Sequence, residues 1–410
     1  MELQLERQAD YEQFCDLVLQ DPYPLFDELR QKQPVHWCSP LNTWLGFRYD
    51  DTMAAVKDPR LISGRGPVYE RIVNDGNRDK VEPLIGHLNM WLQSINPPRH
   101  TRLRKLAGMA FTPRMIRNMI PRIEQIVVDR LDLVRQKGQC DFVEEFCYWV
   151  PATVICDMLA LPQDDHDQFR DWVGNLMPFT AGAGPYLYEA IDGAYDGLSQ
   201  LIDYFEKIIA KRRRQPGEDL ISALVAAEVD GDRLSDEELF GMCVFLFVAG
   251  HETTMSLFGS ATYLLLTHPD QRTHFDPDDA VAVDMAIEEC LRYESPVTRA
   301  PRVAGEDMTL RGQLIRKGDS VTFLLGAANR DPGQFEGAGR FDITRAANKH
   351  LAFGFGRHFC IGAELARLES RIGLPMIFKQ LPGLQLTDSN VQWRRAFGIR
   401  SLAGLAVSTE

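Results

Sequence analysis

The sequence contains no C-x-x-C pair and no C-x-x-C-H, which excludes a zinc ribbon, a thioredoxin-type redox pair and covalent haem attachment through that motif. Its eight cysteines, at 15, 38, 140, 147, 156, 243, 290 and 360, follow no disulfide framework and read as reduced thiols in a cytoplasmic protein. Positive charge is not in excess. Against 58 Asp and Glu there are 45 Lys and Arg, a net charge of −13 that argues against a general nucleic-acid binder. Residues 1–20 lack a basic segment followed by an apolar one, so no signal peptide is expected. Neither an internal repeat nor a linker rich in Pro, Gly and Ser divides the 410 residues, which predicts one domain over 1–410. A hydrophobic share of 45% excludes a disordered chain and suffices for a core that encloses a cofactor. The most apolar stretch, residues 239–266, is broken by His251, Glu252, Thr253 and Thr254. Charge at a membrane midplane is costly, so this is expected to be a buried helix and not a membrane anchor.

Residues 22–33 read as a short helix, and Val35–Trp37 and Thr43–Tyr49 as a hairpin turning at Pro40–Asn42. From about 100 to 290 the pattern is helical; over Arg122–Lys137 the apolar residues 123, 126, 127, 131 and 134 keep a helical period. Ser235-Asp236-Glu237-Glu238 is a capping box, and His268-Pro269 stops the helix that it starts. Such a helix is roughly 48 Å long and must cross the interior, so polar residues halfway along it need a reason. Strand-like runs return at Val303–Ala304, Met308–Leu310, Val321–Leu325 and Leu405–Val407. The expected class is mainly α (α+β), with a small mixed sheet assembled from distant segments.

The segment Phe353-Gly354-Phe355-Gly356-Arg357-His358-Phe359-Cys360-Ile361-Gly362 precedes a helical pattern with Leu365, Leu368 and Ile372 on one face. Glycines allow close approach of backbone to a flat object, and a cysteine at a helix N-terminus is favoured as thiolate. With no second Cys or His at zinc spacing, one thiolate suits the axial position of a haem. A buried cysteine in a glycine-rich loop, or a nucleophilic Cys360 with His358 as base, are the alternatives; the second lacks a group to orient the His. The whole pattern, F-G-x-G-x-H-x-C-x-G, resembles the haem loop of the cytochrome P-450 family.

That resemblance extends over roughly residues 20–410 and implies the P-450 fold, with a long central helix over haem b. By it Cys360 is the iron ligand, Phe353 shields the sulfur, His358 reaches a haem propionate, and Gly354 and Gly362 belong to the cofactor loop. Ala249-Gly250-His251-Glu252-Thr253-Thr254 lies midway along the long helix. Small residues at Ala249 and Gly250 let the helix pass close over the haem, and Thr253 can bond the carbonyl of Ala249 and open the helix locally. The resemblance assigns proton delivery to Thr253, fed by Glu252. Glu289-Cys290-Leu291-Arg292 matches the family's structural salt bridge, with Arg340 as the implied third member. His100 and Arg104 in Pro97-Pro98-Arg99-His100-Thr101-Arg102-Leu103-Arg104, and Arg302, match its propionate-gripping residues. Asn96 stands where many relatives carry Asp, and Pro375 is expected to kink or end the helix after Cys360.

The implied activity is monooxygenation: O2 as co-substrate, one atom placed in a C–H or C=C bond of an apolar, natural-product-like small molecule, the other reduced to water. With no flavin module in the sequence, electrons are expected from a ferredoxin with its NAD(P)H-dependent reductase. Residues 97–123 hold basic residues at 99, 102, 104, 105, 114, 117 and 122 and no acid, a local cationic surface for such a carrier. The resemblance sets residues 62–95, 174–190, 245–249, 295–300 and 395–398 around the substrate. Met90, Trp91, Leu176, Phe179, Phe245, Val297 and Phe397 are the apolar candidates there, and Gly174–Pro185 a mobile lid. An H2O2-using peroxygenase, a non-oxidative haem isomerase or dehydratase, and a haem gas carrier or sensor are the rival readings; the acid–alcohol pair disfavours the first and last.

Overall fold

The computed structural model describes residues 19–39, 41–64, 72–182 and 186–409. Cys15, Pro40, the part of the expected pocket wall at 65–71 and the lid tip at 183–185 lie outside the described residues. The helices that build and surround the site are α1 (Tyr23–Lys32), α2 (Tyr49–Lys57), α3 (Arg78–Leu88), α4 (Arg99–Ala110), α5 (Pro113–Asn118), α6 (Ile120–Lys137), α7 (Trp149–Met158), α8 (His166–Ala181), α9 (Ile191–Arg214), α10 (Asp236–Thr267), α11 (Ala280–Tyr293) and α12 (Ala363–Gln380).

Helix α10 runs for 32 residues between the two predicted signals. Ser235 Oγ accepts from the Glu238 amide and the Glu238 carboxylate accepts from the Ser235 amide, closing the capping box. By length and composition α10 could cross a membrane, yet 78% of its apolar window is buried inside the fold. It packs against α7, α9, α11 and α12. Apolar faces of α3, α6, α7, α8 and α9 join it in one large core. Helix α7 is buried on most sides, whereas α6 contributes the stripe that its 3.6-residue period places on one side, Ile123, Ile126, Val127, Leu131 and Val134.

The minor sheet is assembled from distant segments, as expected. Strands β1 (Val35–Cys38), β2 (Thr43–Gly46), β3 (Leu61–Ile62), β5 (Arg299–Ala304) and β6 (Ser320–Leu324) form it in the order β1-β2-β6-β5-β3. β1 and β2 are the predicted hairpin, with Val35 opposite Gly46. The second strand is shorter than predicted: Tyr49 opens α2, where Asp331 accepts from its amide. β6 joins β2 in parallel, Val321 opposite Trp44, and β5 antiparallel, Ser320 opposite Val303. A three-stranded sheet pairs β4 (Gln139–Asp141), β8 (Ala406–Ser408) and β7 (Gln385–Leu386). Pro375 does not end α12, which continues to Gln380 with the proline buried inside it.

Candidate active site

A cavity of about 370 Å3 lies between the middle of α10 and the loop that ends at Cys360. The loop is shaped by backbone chemistry. Gly354 and Gly356 take φ of +69° and +67°, a left-handed conformation that L side chains resist. A Cβ at Gly356 would also sit 2.8 Å from Val56 of α2. The Cys360 amide closes the loop by donating to the Phe353 carbonyl at 2.9 Å. Cys360 is exposed and lines the cavity. Burial raises the Cys360 thiol, against the amides of Gly362 and Ala363 and the guanidinium groups of Arg104 and Arg367, which favour thiolate. The Phe353 ring lines the cavity with the Arg367 guanidinium 4.4 Å from its centre. Glu288 holds Arg367 through bonds of 2.6 and 2.9 Å and also accepts from His350. Despite burial, those partners bring its carboxyl down to about 2.

Across the cavity, Ala249, Gly250, Glu252 and Thr253 line the α10 side. Thr253 Oγ1 donates to the Ala249 carbonyl at 3.1 Å, the bond anticipated from the sequence. The helix stays continuous there and does not open into a break. Gly250 has a neighbour of its own, since a Cβ would meet Ile155 of α7 at 3.0 Å. Glu252 is buried, and its partner is Arg394 at 3.4 Å, on a loop that no motif singled out. Glu369 of α12 also faces the cavity; burial without a hydrogen bond to Oε2 raises its carboxyl well above the ordinary range.

One edge of the cavity is cationic. His100, Arg104, Arg302 and His358 all line it, and the His100 and His358 ring centres are 4.2 Å apart. His100 Nε2 and His358 Nδ1 are buried without a hydrogen-bond partner, and no carboxylate among the described residues pairs with any of the four side chains. Burial and the neighbouring positive charges of His100, Arg302, Arg357 and Arg104 push His358 down to about 3, and burial with Arg357 brings Arg302 to about 10. Such a cluster is incomplete without an anion. A ligand with two carboxylates would satisfy both orphan nitrogens and relieve the repulsion. Among the described residues no group of three or more His, Cys, Asp or Glu could hold a metal ion, so a lone sulfur with a cationic edge suited to two carboxylates fits haem and not a protein-only metal centre.

Three corrections follow. Arg340 is not the third member of the buried ion group. Arg292 donates to Glu289 through two bonds of 2.7 Å, and the next guanidinium is Arg345 at 3.1 Å, with the Asn348 carboxamide and the Asp342 amide completing the set of donors. Arg340 turns outward to Asp342, its side chain 72% exposed, and only its carbonyl receives Arg292. Second, of the proposed apolar lining, Trp91, Phe245 and Val297 face the cavity, whereas Met90, Leu176, Phe179 and Phe397 do not. Leu176 and Phe179 point into the core from the other side of α8, leaving Met177 and Thr180 on the cavity. Met90 packs over Gly241, and Phe397 lines a separate small recess beside Tyr23. Third, the basic run is largely neutralised: Arg99 and Arg102 bind Glu238, Arg102 also binds Asp232, Lys105 binds Asp230 and Arg122 binds Asp157. Arg114 and Arg117 stay exposed on α5, which packs against α12.

The cytochrome P450 family model matches residues 89–275 and 278–382. The biotin biosynthesis cytochrome P450 of Bacillus subtilis is 37% identical over 399 residues, 96% of this chain and 97% of the relative. The mycinamicin IV hydroxylase/epoxidase of Micromonospora griseorubida is 37% identical over 391 residues, covering 93% and 94%. Among solved structures, P450BioI in complex with an acyl carrier protein ligated to hexadec-9Z-enoic acid superposes with a TM-score of 0.87 at 34% identity, covering 97% of this chain and 100% of that one. With the single sulfur, the polar α10 turn and the cation-lined edge in one cavity, these matches identify the chain as a member of the cytochrome P450 family and a P450 monooxygenase.

Proposed function

We propose that this monooxygenase hydroxylates or epoxidises an apolar natural-product-like molecule or acyl chain, in the cytoplasm, with electrons from a separate ferredoxin and its NAD(P)H-dependent reductase. The observation that carries the reading is that Cys360 and Thr253 open onto one cavity whose walls include Trp91, Phe245, Leu246, Val297 and Ile399. Cys360 would hold haem, with His100, Arg104, Arg302 and His358 receiving its carboxylates; bound there it would supply O2 activation and transfer of one oxygen atom into a C–H or C=C bond.

The chain's own residues do the rest. The apolar walls exclude water and orient the substrate by shape. Thr253 Oγ1 gives its hydrogen to the Ala249 carbonyl, which leaves its lone pairs to hold a proton-donating water at the cavity surface. Glu252 replenishes that proton, and Arg394, whose side chain is 36% exposed, links that acid to the outside. The relatives named for mycinamicin IV and for an acyl carrier protein ligand favour a macrolide or fatty-acyl substrate class. Arg114 and Arg117, on the helix packed against α12, offer the exposed positive charge for an acidic electron carrier.

The test is a screen of macrolides, fatty acids, terpenoids and aromatic polyketides for ligands that shift the iron spin state. Turnover of the hits follows with ferredoxin, reductase, NAD(P)H and O2. Product that requires both O2 and reductant, with one 18O atom from labelled O2, is the expected result. Product formed without O2 would instead establish an isomerase or dehydratase.

A further inference from the structure

Ser63, which no sequence motif singled out, and Asn96, next to the Pro97-Pro98 segment, hold the back of His358. Ser63 follows β3, and Asn96 precedes the Pro97-Pro98 start of α4; both lie more than two hundred residues from His358 in sequence. The Asn96 carboxamide grips the Ser63 peptide unit from both sides. Its Oδ1 accepts from the Ser63 amide at 2.8 Å and its Nδ2 donates to the Ser63 carbonyl at 2.6 Å. That pairing needs a donor and an acceptor on one side chain, which a carboxamide has and a carboxylate lacks. An aspartate at 96 would keep the first bond and set an anionic oxygen against the Ser63 carbonyl. Ser63 Oγ, fixed by this clasp, lies 3.0 Å from His358 Nε2.

A neutral imidazole has one donor nitrogen and one acceptor nitrogen, and the bond at one fixes the role of the other. When the Ser63 hydroxyl donates to Nε2, Nδ1 carries the hydrogen and can donate to a carboxylate. With the roles reversed, Nδ1 presents a lone pair that repels it. We propose that Ser63 and Asn96 are positioning residues for the cofactor: Asn96 clamps the Ser63 backbone, and Ser63 Oγ–H fixes the His358 tautomer whose Nδ1–H meets a haem carboxylate. The proposal rests on the reading of His358 as a carboxylate-binding residue. It goes further by naming a serine and an asparagine that act only through another side chain.

The experiment measures transfer of haem from the holoenzyme to an excess of apomyoglobin, for the unaltered chain and for Ser63→Ala, Ser63→Thr, Asn96→Asp and His358→Ala. Ser63→Ala and Asn96→Asp are expected to release haem ~3–10-fold faster, the worth of one buried hydrogen bond. Ser63→Thr, which keeps the hydroxyl, stays within about twofold. In a His358→Ala background the Ser63→Ala effect disappears, because the two residues act as one unit. Imidazole 15N signals of the reduced, CO-bound holoenzyme supply a second readout: one His358 tautomer in the unaltered chain and in Ser63→Thr, a mixture in Ser63→Ala. Should Ser63→Ala fail to fold, Asn96→Asp and Ser63→Thr carry the same contrast. If Ser63→Ala changes neither release nor tautomer while His358→Ala accelerates release, the positioning role is overturned and the carboxylate reading survives. A full Ser63→Ala effect in the His358→Ala background would overturn it too, by showing a packing role. Unaltered release from His358→Ala would remove both assignments.

Discussion

Two arginines five residues apart should differ sharply in what they hold together. Arg345 places Nε 3.1 Å from a Glu289 oxygen that is wholly buried, and donates also to the Glu336 carbonyl at 2.7 Å. Its side chain is 10% exposed. Arg345→Ala removes a charge-assisted bond, worth roughly 1.5–3 kcal/mol, and leaves part of a buried carboxylate without its partner. Arg292, Asn348 and the Asp342 amide still hold Glu289, so the cost stops short of a full pair break; we take about 3 kcal/mol. At about 2.1 cal/mol/K per residue, unfolding 410 residues carries an entropy of about 0.9 kcal/mol/K, so the melting temperature should fall by roughly 3–4 °C. Arg340→Ala loses only an exposed pair with Asp342, worth under about 1 kcal/mol, and should shift melting by no more than about 1 °C. Differential scanning calorimetry of the two holoenzyme variants decides. Equal destabilisation, or a larger loss at Arg340, would refute the assignment.

Other outcomes follow from the site. Thr253→Ala should keep substrate affinity within about twofold yet divert reducing equivalents to peroxide, lowering product per NAD(P)H by ~10-fold or more; unchanged coupling would remove Thr253 from the proton path. Glu288 is lowered from 4.5 to about 2 by Arg367 and His350 despite burial. Its contribution is therefore fully present above about pH 4.5 and fades as pH falls toward 2, a total of about 3 kcal/mol. Glu288→Gln should flatten that acid limb in urea unfolding measured from pH 6 to pH 3; an undiminished limb would place the titration elsewhere. Arg117→Glu should slow ferredoxin-supported reduction by roughly 3–10-fold at low salt with haem retained, and the difference should vanish at high ionic strength. Stopped-flow reduction indifferent to both the substitution and salt would rule out docking at α5.

What was legible in the sequence was what local chemistry dictates. The ends of α10 follow from a serine that caps, a glutamate that reaches back and a proline that cannot continue a helix, and both ends fall where those residues stand. The Cys360 loop was legible because its backbone demands glycine at 354 and 356. The choice between Arg340 and Arg345 was not, since both lie in the same irregular segment and only the path of the chain decides which one turns toward Glu289. The face of α8 that meets the cavity was hidden for a similar reason. Leu176, Met177 and Phe179 are all apolar, so periodicity could not say which of them look inward to the core and which to the site. The pairing of Arg102 and Lys105 was not legible because their partners, Asp232, Glu238 and Asp230, come from more than a hundred residues away. Of the two outcomes expected at Pro375, a kink or an end, the end does not occur: α12 runs on to Gln380.

The bond between the Cys360 sulfur and iron decides whether this chain works as a haem-thiolate enzyme. X-ray absorption at the iron edge of the purified holoenzyme should show one sulfur in the first coordination shell, absent in Cys360→His. A shell of nitrogen scatterers alone in the unaltered protein would contradict it.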